Sequence, residues 1–183
     1  MHIKSLTLKN IRSYAEQKIT FPQGIVLLSG DIGSGKSTIL QAIEFALFGA
    51  QRGVLDASTL LRHGEKHAEV TLDLDNIKIT RTVKATKNGV QQGPGTLTTD
   101  TKEDLAPTEL RARVLALLGY PDNPATFRYT VYASQEQMKQ IILERSDTRL
   151  DTLRTIFGVD KYKQIQGSID IIQKHIRKER SFL

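Results

Sequence analysis

The feature that most constrains this chain is the stretch from Gly30 to Ser37, which reads Gly-Asp-Ile-Gly-Ser-Gly-Lys-Ser. It matches the phosphate-binding P-loop pattern of a glycine, any four residues, and then Gly-Lys-Ser/Thr. The apolar run 25–28 precedes it and is typical of a strand buried on both faces of a sheet. Residues 38–48 follow it, are rich in helix formers and end at Gly49. Strand, glycine loop and helix are the order that this motif requires.

The chemistry of the loop points to a nucleoside triphosphate. Its glycines let the backbone N–H groups turn inward with no side chain in the way, and the start of the helix adds the positive end of its dipole. Lys36 is expected to reach the β and γ phosphates as a point charge. The Ser37 hydroxyl is expected to hold Mg²⁺. ATP and Mg²⁺ are therefore the predicted cofactors.

Length and composition limit the class of protein. At 183 residues and 39% hydrophobic, the chain can bury a core, and a single domain is the default expectation. The net charge of +6 permits nucleic-acid binding, but a nucleotide site also needs positive charge. There is no cysteine and no apolar run of membrane-spanning length. We expect a soluble intracellular protein with no membrane partner, cytoplasmic and nucleoid-associated in a prokaryote or nuclear in a eukaryote.

Alternating apolar and polar residues predict several antiparallel strands. An antiparallel pair is expected over residues 2–21, before the P-loop, and a hairpin over residues 68–83. Residues 84–101 fit either an exposed loop or a second hairpin. A helix is expected from Pro107 to Leu118, with its apolar face formed by Leu110, Val114, Leu117 and Leu118. A β-rich stretch at 127–132 and a helix over 138–157 follow.

The last part of the chain has a different pattern. Ile165, Ile169, Ile172 and Ile176 are spaced by four, three and four residues, which is heptad spacing. Such a stripe fits an ordinary amphipathic helix or the root of a coiled coil, and its place after a finished lobe favours the second. We therefore predict a lobe over residues 1–157 and the start of a coiled-coil helix, truncated in this chain, over 158–183.

Two motifs of a complete ATPase are missing. A P-loop ATPase has a strand of four apolar residues that ends in Asp, usually followed by Glu, and holds Mg²⁺ and activates water. The stretch 72–75 alternates instead, and 167–172 is helical in pattern. A Ser-Gly-Gly signature sequence is also absent. The sequence therefore predicts half of an active site.

Three blocks together resemble one family. Residues 8–14, the P-loop with the helix to Gly49, and residues 131–138 are similar in order and spacing to the N-terminal lobe of the Rad-fifty (SbcC-type) double-strand-break repair ATPases, relatives of the SMC proteins. The resemblance spans nearly the whole chain. The fold class that it implies is α/β: a P-loop NTPase, namely the N-terminal lobe of an ABC-type ATPase head, with an antiparallel β portion and the root of a coiled-coil helix.

The resemblance also implies a set of site residues. Arg12 would contact nucleotide phosphate, and Gln135 would be the Q-loop glutamine that reaches Mg²⁺ and the attacking water. Position 32 is Ile where the family usually has Asn, so a side-chain contact there is lost. The implied nucleotide-binding residues are Arg12, Ile32, Gly33, Ser34, Gly35, Lys36, Ser37, Thr38, Arg62, His63, Gly64 and Gln135. Lys36 and Gln135 would be catalytic, and Ser37 and Gln135 would be the magnesium ligands.

By the same resemblance, two lobes form one head and two heads sandwich ATP as a dimer. The family acts in DNA double-strand break repair, where the heads gate access of DNA ends to a manganese-dependent nuclease subunit of the Mre-eleven or SbcD type. ATP hydrolysis then needs the C-terminal lobe of the same protein, and double-stranded DNA is a further partner. The alternatives are an SMC-type chromosome-organising ATPase without a nuclease, a small P-loop kinase, and a nucleotide-binding module that does not hydrolyse ATP.

Overall fold

The computed structural model describes residues 2–51, 55–119, 131 and 145–180. The chain divides into two compact units, Met1–Leu118 and Gly119–Leu183. Each is described by itself below. The predicted boundary between the lobe and the coiled-coil helix, after residue 157, stays a prediction.

The first unit is built on a six-stranded antiparallel sheet with the order β2-β1-β3-β4-β5-β6. The strands are β1 (Ile3–Ile11), β2 (Tyr14–Thr20), β3 (His67–Leu74), β4 (Lys78–Thr86), β5 (Gly89–Thr98) and β6 (Lys102–Leu105). The antiparallel pair before the P-loop and the first hairpin are confirmed. Of the two alternatives for residues 84–101, the second hairpin is correct, because β5 pairs with β4 and β6 and buries Leu97 at 3% exposure.

One face of this sheet is covered by helices and the other is open. On β3, Ala68, Val70 and Leu72 are fully buried, while Glu69 and Thr71 are only partly buried and line the open face. The helices are α1 (Lys36–Phe48), α2 (Ala57–Leu60) and α3 (Pro107–Leu118). Both α1 and α3 contact the sheet and each other. Because α1 packs against both the sheet and α3, most of its residues are buried.

The predicted helix over 107–118 is confirmed, with one change in its buried face. Leu110 and Val114 are buried as expected, but Leu115 is buried in place of Leu117, which is half-exposed. Helix spacing alone favours Leu117, because i, i+4 and i+7 lie on one face, so the burial of Leu115 depends on what packs against the helix.

The second unit contains two described helices, α4 (Ser146–Ile156) and α5 (Asp160–Arg180). Lys163 Nζ donates to both carboxylate oxygens of Asp151 at 2.7 Å, and Arg154 Nη1 donates to one of them at 2.9 Å. The hydrogen bonds from Lys163 and then from Arg154 lower the pKa of Asp151. The predicted helix with the isoleucine stripe is confirmed. No helix in the described ranges is long and apolar enough to cross a membrane.

The predicted strand before the P-loop is not formed. Residues 25–30 have no regular secondary structure, Ile25 is fully exposed and Leu27 is 87% exposed. Within the described ranges, the backbone of residues 25–29 makes no hydrogen bond to another segment. A strand needs a neighbour to pair its N–H and C=O groups, and no described strand supplies one. The prediction of a strand buried on both faces was therefore wrong for this chain.

A buried cation joins the sheet to the end of α1. Arg81, on β4, is 0% exposed. Its Nε donates to Ala46 O at 2.7 Å and its Nη2 donates to Leu47 O at 3.1 Å. The last carbonyls of a helix have no partner within the helix, and positive charge is favourable there. Burial, and secondarily the charge of Arg111, lowers the pKa of Arg81 to about 10, so the side chain is still charged at neutral pH.

We expect Arg81→Met to lower the free energy of unfolding by about 2–4 kcal/mol, because two buried carbonyls lose their donors. Urea denaturation of the purified protein measures this. Arg113→Met is the matched control, since the one bond of Arg113 among the described residues is an exposed ion pair with Glu103 at 3.5 Å, and such pairs contribute about 0–1 kcal/mol. Equal small losses in both variants would show that Arg81 does not cap α1.

Candidate nucleotide-binding site

The P-loop adopts a backbone that only glycine accommodates easily. Gly33 has a φ of 83° and Gly35 a φ of 91°, both in the left-handed region. Gly35 is the N-cap of α1 and makes no side-chain cap. Thr38 N donates to Gly35 O at 2.9 Å, which starts the helix directly after the loop. The N-terminus of α1 therefore lies at the end of the loop and has no side-chain cap.

Several backbone donors of the loop have no acceptor. The N–H groups of Gly33, Gly35, Lys36 and Ser37 donate to no oxygen in the described part of the chain. Their surroundings are exposed or half-buried. Converging N–H groups at a helix start form a nest that binds anions. The loop thus has the donor set that phosphate oxygens require.

Lys36 is held by the loop itself. Its Nζ donates to Gly30 O at 2.6 Å, to Asp31 O at 2.7 Å and to Ser34 Oγ at 3.1 Å. These contacts keep the ammonium over the loop instead of letting it extend into solvent. Ser37 is exposed beside it, whereas Thr38 is buried and contributes to the loop through its backbone.

Arg12 lies in the turn between β1 and β2, in a strained conformation. Its φ is 47°, which is uncommon for a residue with a side chain. Arg12 N donates to Leu60 O at 3.0 Å and Arg12 Nε to Thr59 O at 2.8 Å. Its two Nη groups have no acceptor among the residues that the structure describes. The guanidinium is thus oriented by α2 while its terminal donors stay available.

Arg62 donates hydrogen bonds to the same turn through its side chain and to the end of β1 through its backbone. Arg62 N donates to Asn10 O at 2.9 Å, and its Nη1 donates to Arg12 O at 3.1 Å and Ser13 O at 2.8 Å. His63 and Gly64 form the exposed turn that follows. No hydrogen bond joins these two residues to the P-loop in the described ranges, so their predicted place at the nucleotide stays a prediction.

The β1–β2 turn packs against the P-loop at Gly35. A Cβ placed on Gly35 would lie 2.8 Å from Tyr14 Oη, 2.9 Å from Tyr14 Cε2 and 3.0 Å from Ser13 Oγ. The structure therefore brings together the P-loop, the Arg12 turn and, through its bonds to that turn, Arg62. Ser13 and Tyr14 were not among the predicted site residues. The signal that pointed to them was only their place beside Arg12.

Two predicted site residues, Ile32 and Gln135, are not placed in this arrangement by the structure. The Ile32 side chain is fully exposed and contacts nothing that replaces the amide the family usually has there. Gln135 lies outside the described residues, as do the β-rich stretch 127–132, apart from residue 131, and the first part of the helix predicted over 138–157. The described residues contain no group of three or more His, Asp or Glu side chains that could hold a metal ion.

Comparison with known proteins identifies related chains. A family model described as AAA domain matches residues 5–181. The DNA double-strand break repair Rad50 ATPase of Methanocaldococcus jannaschii is 28% identical over 97% of this chain and 17% of its own length. The Rad50 ATPase of Methanococcus maripaludis is 25% identical over 95% and 17%. Arcadin-4 of Pyrobaculum calidifontis is 27% identical over 94% and 22%.

A solved structure, the recombination mediator protein RecF with ATP in the RecFOR pathway, is 25% identical with a TM-score of 0.46 and covers 56% of this chain and 27% of that one. The chain thus spans about a fifth of the length of the curated relatives that it matches. The predicted resemblance to the Rad-fifty ATPases is confirmed, as is the fold class of an α/β P-loop NTPase lobe with an antiparallel sheet.

Proposed function

Because this chain belongs to the AAA domain family, we propose that it is the ATP-binding N-terminal lobe of an ABC-type ATPase head that acts in DNA double-strand break repair. The observation that carries the proposal is the apolar run 25–28, largely exposed and without a backbone partner in the described residues, directly before a complete P-loop. The names of the relatives support the role in repair.

The geometry of the loop fits ATP with Mg²⁺. The free N–H groups of Gly33, Gly35, Lys36 and Ser37 bind phosphate oxygens, and the ammonium of Lys36 neutralises their charge. Of the three hydrogen bonds that Lys36 Nζ donates, the one to Ser34 Oγ is the longest, at 3.1 Å. A phosphate oxygen would replace this bond with the smallest loss of free energy. Ser37 would hold the cation through its exposed hydroxyl, and the cation would neutralise charge on the phosphates. Arg12 adds its terminal guanidinium donors.

Hydrolysis requires a second lobe. This sequence has neither the apolar strand ending in Asp nor the Ser-Gly-Gly signature. The side chains of Ile25 and Leu27 are exposed on one face of the unpaired run. A strand from the C-terminal lobe would pair its backbone, and burying each of these side chains would contribute about 1.5–3 kcal/mol. The missing catalytic motif and the missing strand are then supplied by the same lobe.

Further partners follow from the same assembly. Two heads close over ATP, which shifts the population toward the dimer because nucleotide binds across the interface. The half-exposed isoleucines of α5 form an apolar stripe that fits the root of a coiled coil and a manganese-dependent nuclease subunit. Double-stranded DNA contacts the heads through Lys and Arg, with affinity that falls as salt rises.

Three alternatives are distinguished by simple observations. An SMC-type chromosome-organising ATPase would share the head but would copurify without a nuclease. A small P-loop kinase would phosphorylate a metabolite with this chain alone. A module that only binds nucleotide would never hydrolyse ATP, whichever lobe was added.

The test is ATP hydrolysis and oligomeric state, measured for this chain alone and mixed with the C-terminal lobe encoded downstream. We expect turnover and an ATP-dependent dimer only in the mixture. Full-rate hydrolysis or phosphorylation of a small molecule by the chain alone would exclude the split head. A mixture that binds ATP but shows no turnover would leave the binding module as the correct description.

A further inference from the structure

The β1–β2 turn leaves no room for a side chain at Gly35 of the P-loop. Real Cβ atoms are almost never found as near to other atoms as a Cβ on Gly35 would be to Tyr14 Oη and Tyr14 Cε2, at 2.8 and 2.9 Å. Ser13 Oγ is nearly as close, at 3.0 Å. Gly35 is the residue from which α1 starts, so two hydroxyl groups lie directly beside the start of the phosphate-binding helix.

Both hydroxyls lack a hydrogen-bond partner in the described part of the chain. Neither Ser13 Oγ nor Tyr14 Oη makes a hydrogen bond to any residue that the structure describes. Both hydroxyls lie at Gly35, the N-cap of α1, where the N–H groups of Gly35, Lys36 and Ser37 have no acceptor among the described residues. The N–H groups can only donate and each hydroxyl can also donate, so an anion would accept hydrogen bonds from all of them.

The turn that carries the hydroxyls is held in place. Arg62 Nη1 donates to Arg12 O and Ser13 O, and Arg12 N and Nε are bonded to Leu60 O and Thr59 O. The two positive-φ residues, Asn10 and Arg12, impose the shape of the turn. Ser13 and Tyr14 are therefore presented to the loop by a rigid support, as a ligand contact requires.

We propose that the hydroxyls of Ser13 and Tyr14 are phosphate-binding groups of the nucleotide site, with Tyr14 Oη donating to a phosphate oxygen held by the P-loop. This inference rests on the proposed function, because it needs a nucleotide in the loop. It extends the phosphate site from the loop and Arg12 to a second edge, formed by the turn between β1 and β2. A tyrosine at this place could instead stack on the base, and the experiment separates the two roles.

The experiment uses the full-length protein and two probes, Mg·ATP and inorganic tripolyphosphate, which has the phosphates without the base. Affinities are measured by competition against a fluorescent ATP analogue. Tyr14→Phe keeps the ring against Gly35 and removes only the hydroxyl, and Ser13→Ala does the same for the smaller side chain. Thr20→Val is the matched control, because it removes a hydroxyl from the same hairpin about 20 Å farther along β2.

We expect Tyr14→Phe to weaken both probes by the same factor, about tenfold, since a hydrogen bond to a charged group is lost. Ser13→Ala should weaken both by about threefold to tenfold, and Thr20→Val should change neither. Thermal unfolding without nucleotide should be the same for all three variants. A further variant, Tyr14→Ala, removes the ring as well as the hydroxyl. If Tyr14→Ala weakens binding of ATP but not of tripolyphosphate, and Tyr14→Phe binds both probes like the parent protein, the ring stacks on the base and the proposal is wrong.

Lys36→Ala separates this inference from the proposed function. If Lys36→Ala loses both probes while Tyr14→Phe and Ser13→Ala bind them like the parent protein, the hydroxyls are not ligands and the nucleotide site stands. If Lys36→Ala binds both probes like the parent protein, the P-loop is not the phosphate site and the proposed function fails with it.

Discussion

Replacing Lys36 with alanine is expected to weaken Mg·ATP binding by about 100-fold and to abolish ATP-driven dimerisation of the heads. The ammonium is the positive side-chain charge that the loop itself holds at its centre, through Gly30 O, Asp31 O and Ser34 Oγ. Its loss removes the charge that neutralises the phosphates and leaves loop oxygens turned toward them. Isothermal titration of the protein with Mg·ATP measures the affinity, and size-exclusion chromatography with ATP measures the dimer.

Two variants make this result specific. Lys4→Ala is the matched control, because Lys4 Nζ also donates to a backbone carbonyl, Asp75 O at 2.9 Å, on the surface of the sheet. It should bind ATP like the parent protein. Gln135→Ala should retain ATP binding and slow turnover in the assembled head, as its implied role at the attacking water requires. Normal turnover in both Lys36→Ala and Gln135→Ala would contradict the assignment of the site.

Replacing Leu27 with aspartate is expected to abolish ATPase activity that depends on the C-terminal lobe while leaving this chain folded. Leu27 is 87% exposed, so a charge there costs the isolated chain little. In the assembled head the same position would lie within a sheet, where an unpaired carboxylate is costly to bury. We expect the affinity between the two lobes to fall by at least about 100-fold.

Copurification of tagged lobes and analytical ultracentrifugation measure this association. Leu27→Val is the control at the same site, since it keeps an apolar β-forming side chain and should retain assembly. Thermal unfolding of the isolated chain should be the same for both variants. If Leu27→Asp unfolds the isolated chain, the run 25–28 is already packed within it, and the proposed strand pairing with a second lobe is wrong.

Periodicity predicted the local elements of the first unit well. The alternation from Ala68 to Val83 is a hairpin with one buried face, and the helix after the P-loop runs from Lys36 to Phe48 before Gly49. Each of these elements is specified by residues close together in sequence, so a local pattern is sufficient. The exchange of Leu115 for Leu117 on α3 was missed because the choice depends on which residues the sheet presents to the helix.

Longer-range features were not predictable in the same way. Arg81 has the polar side chain of a surface residue but is fully buried, because α1 ends beside it and its carbonyls need donors. Ser13 and Tyr14 follow Arg12 in sequence, yet their contact with Gly35 arises only when the β1–β2 turn packs against the P-loop. Such contacts join residues that are far apart in sequence, so no short sequence pattern predicts them.

The sequence by itself determined the phosphate-binding loop, the antiparallel strands around it and the family of ATPases that the chain resembles. These depend on residue types at short spacings, which act through local backbone geometry and hydrophobic periodicity. Only the tertiary structure decided that the run 25–28 pairs with no described strand and that the Arg12 turn is adjacent to Gly35. A strand exists only with a neighbour that pairs its backbone, and whether a neighbour is present is a property of the folded chain, not of the run itself.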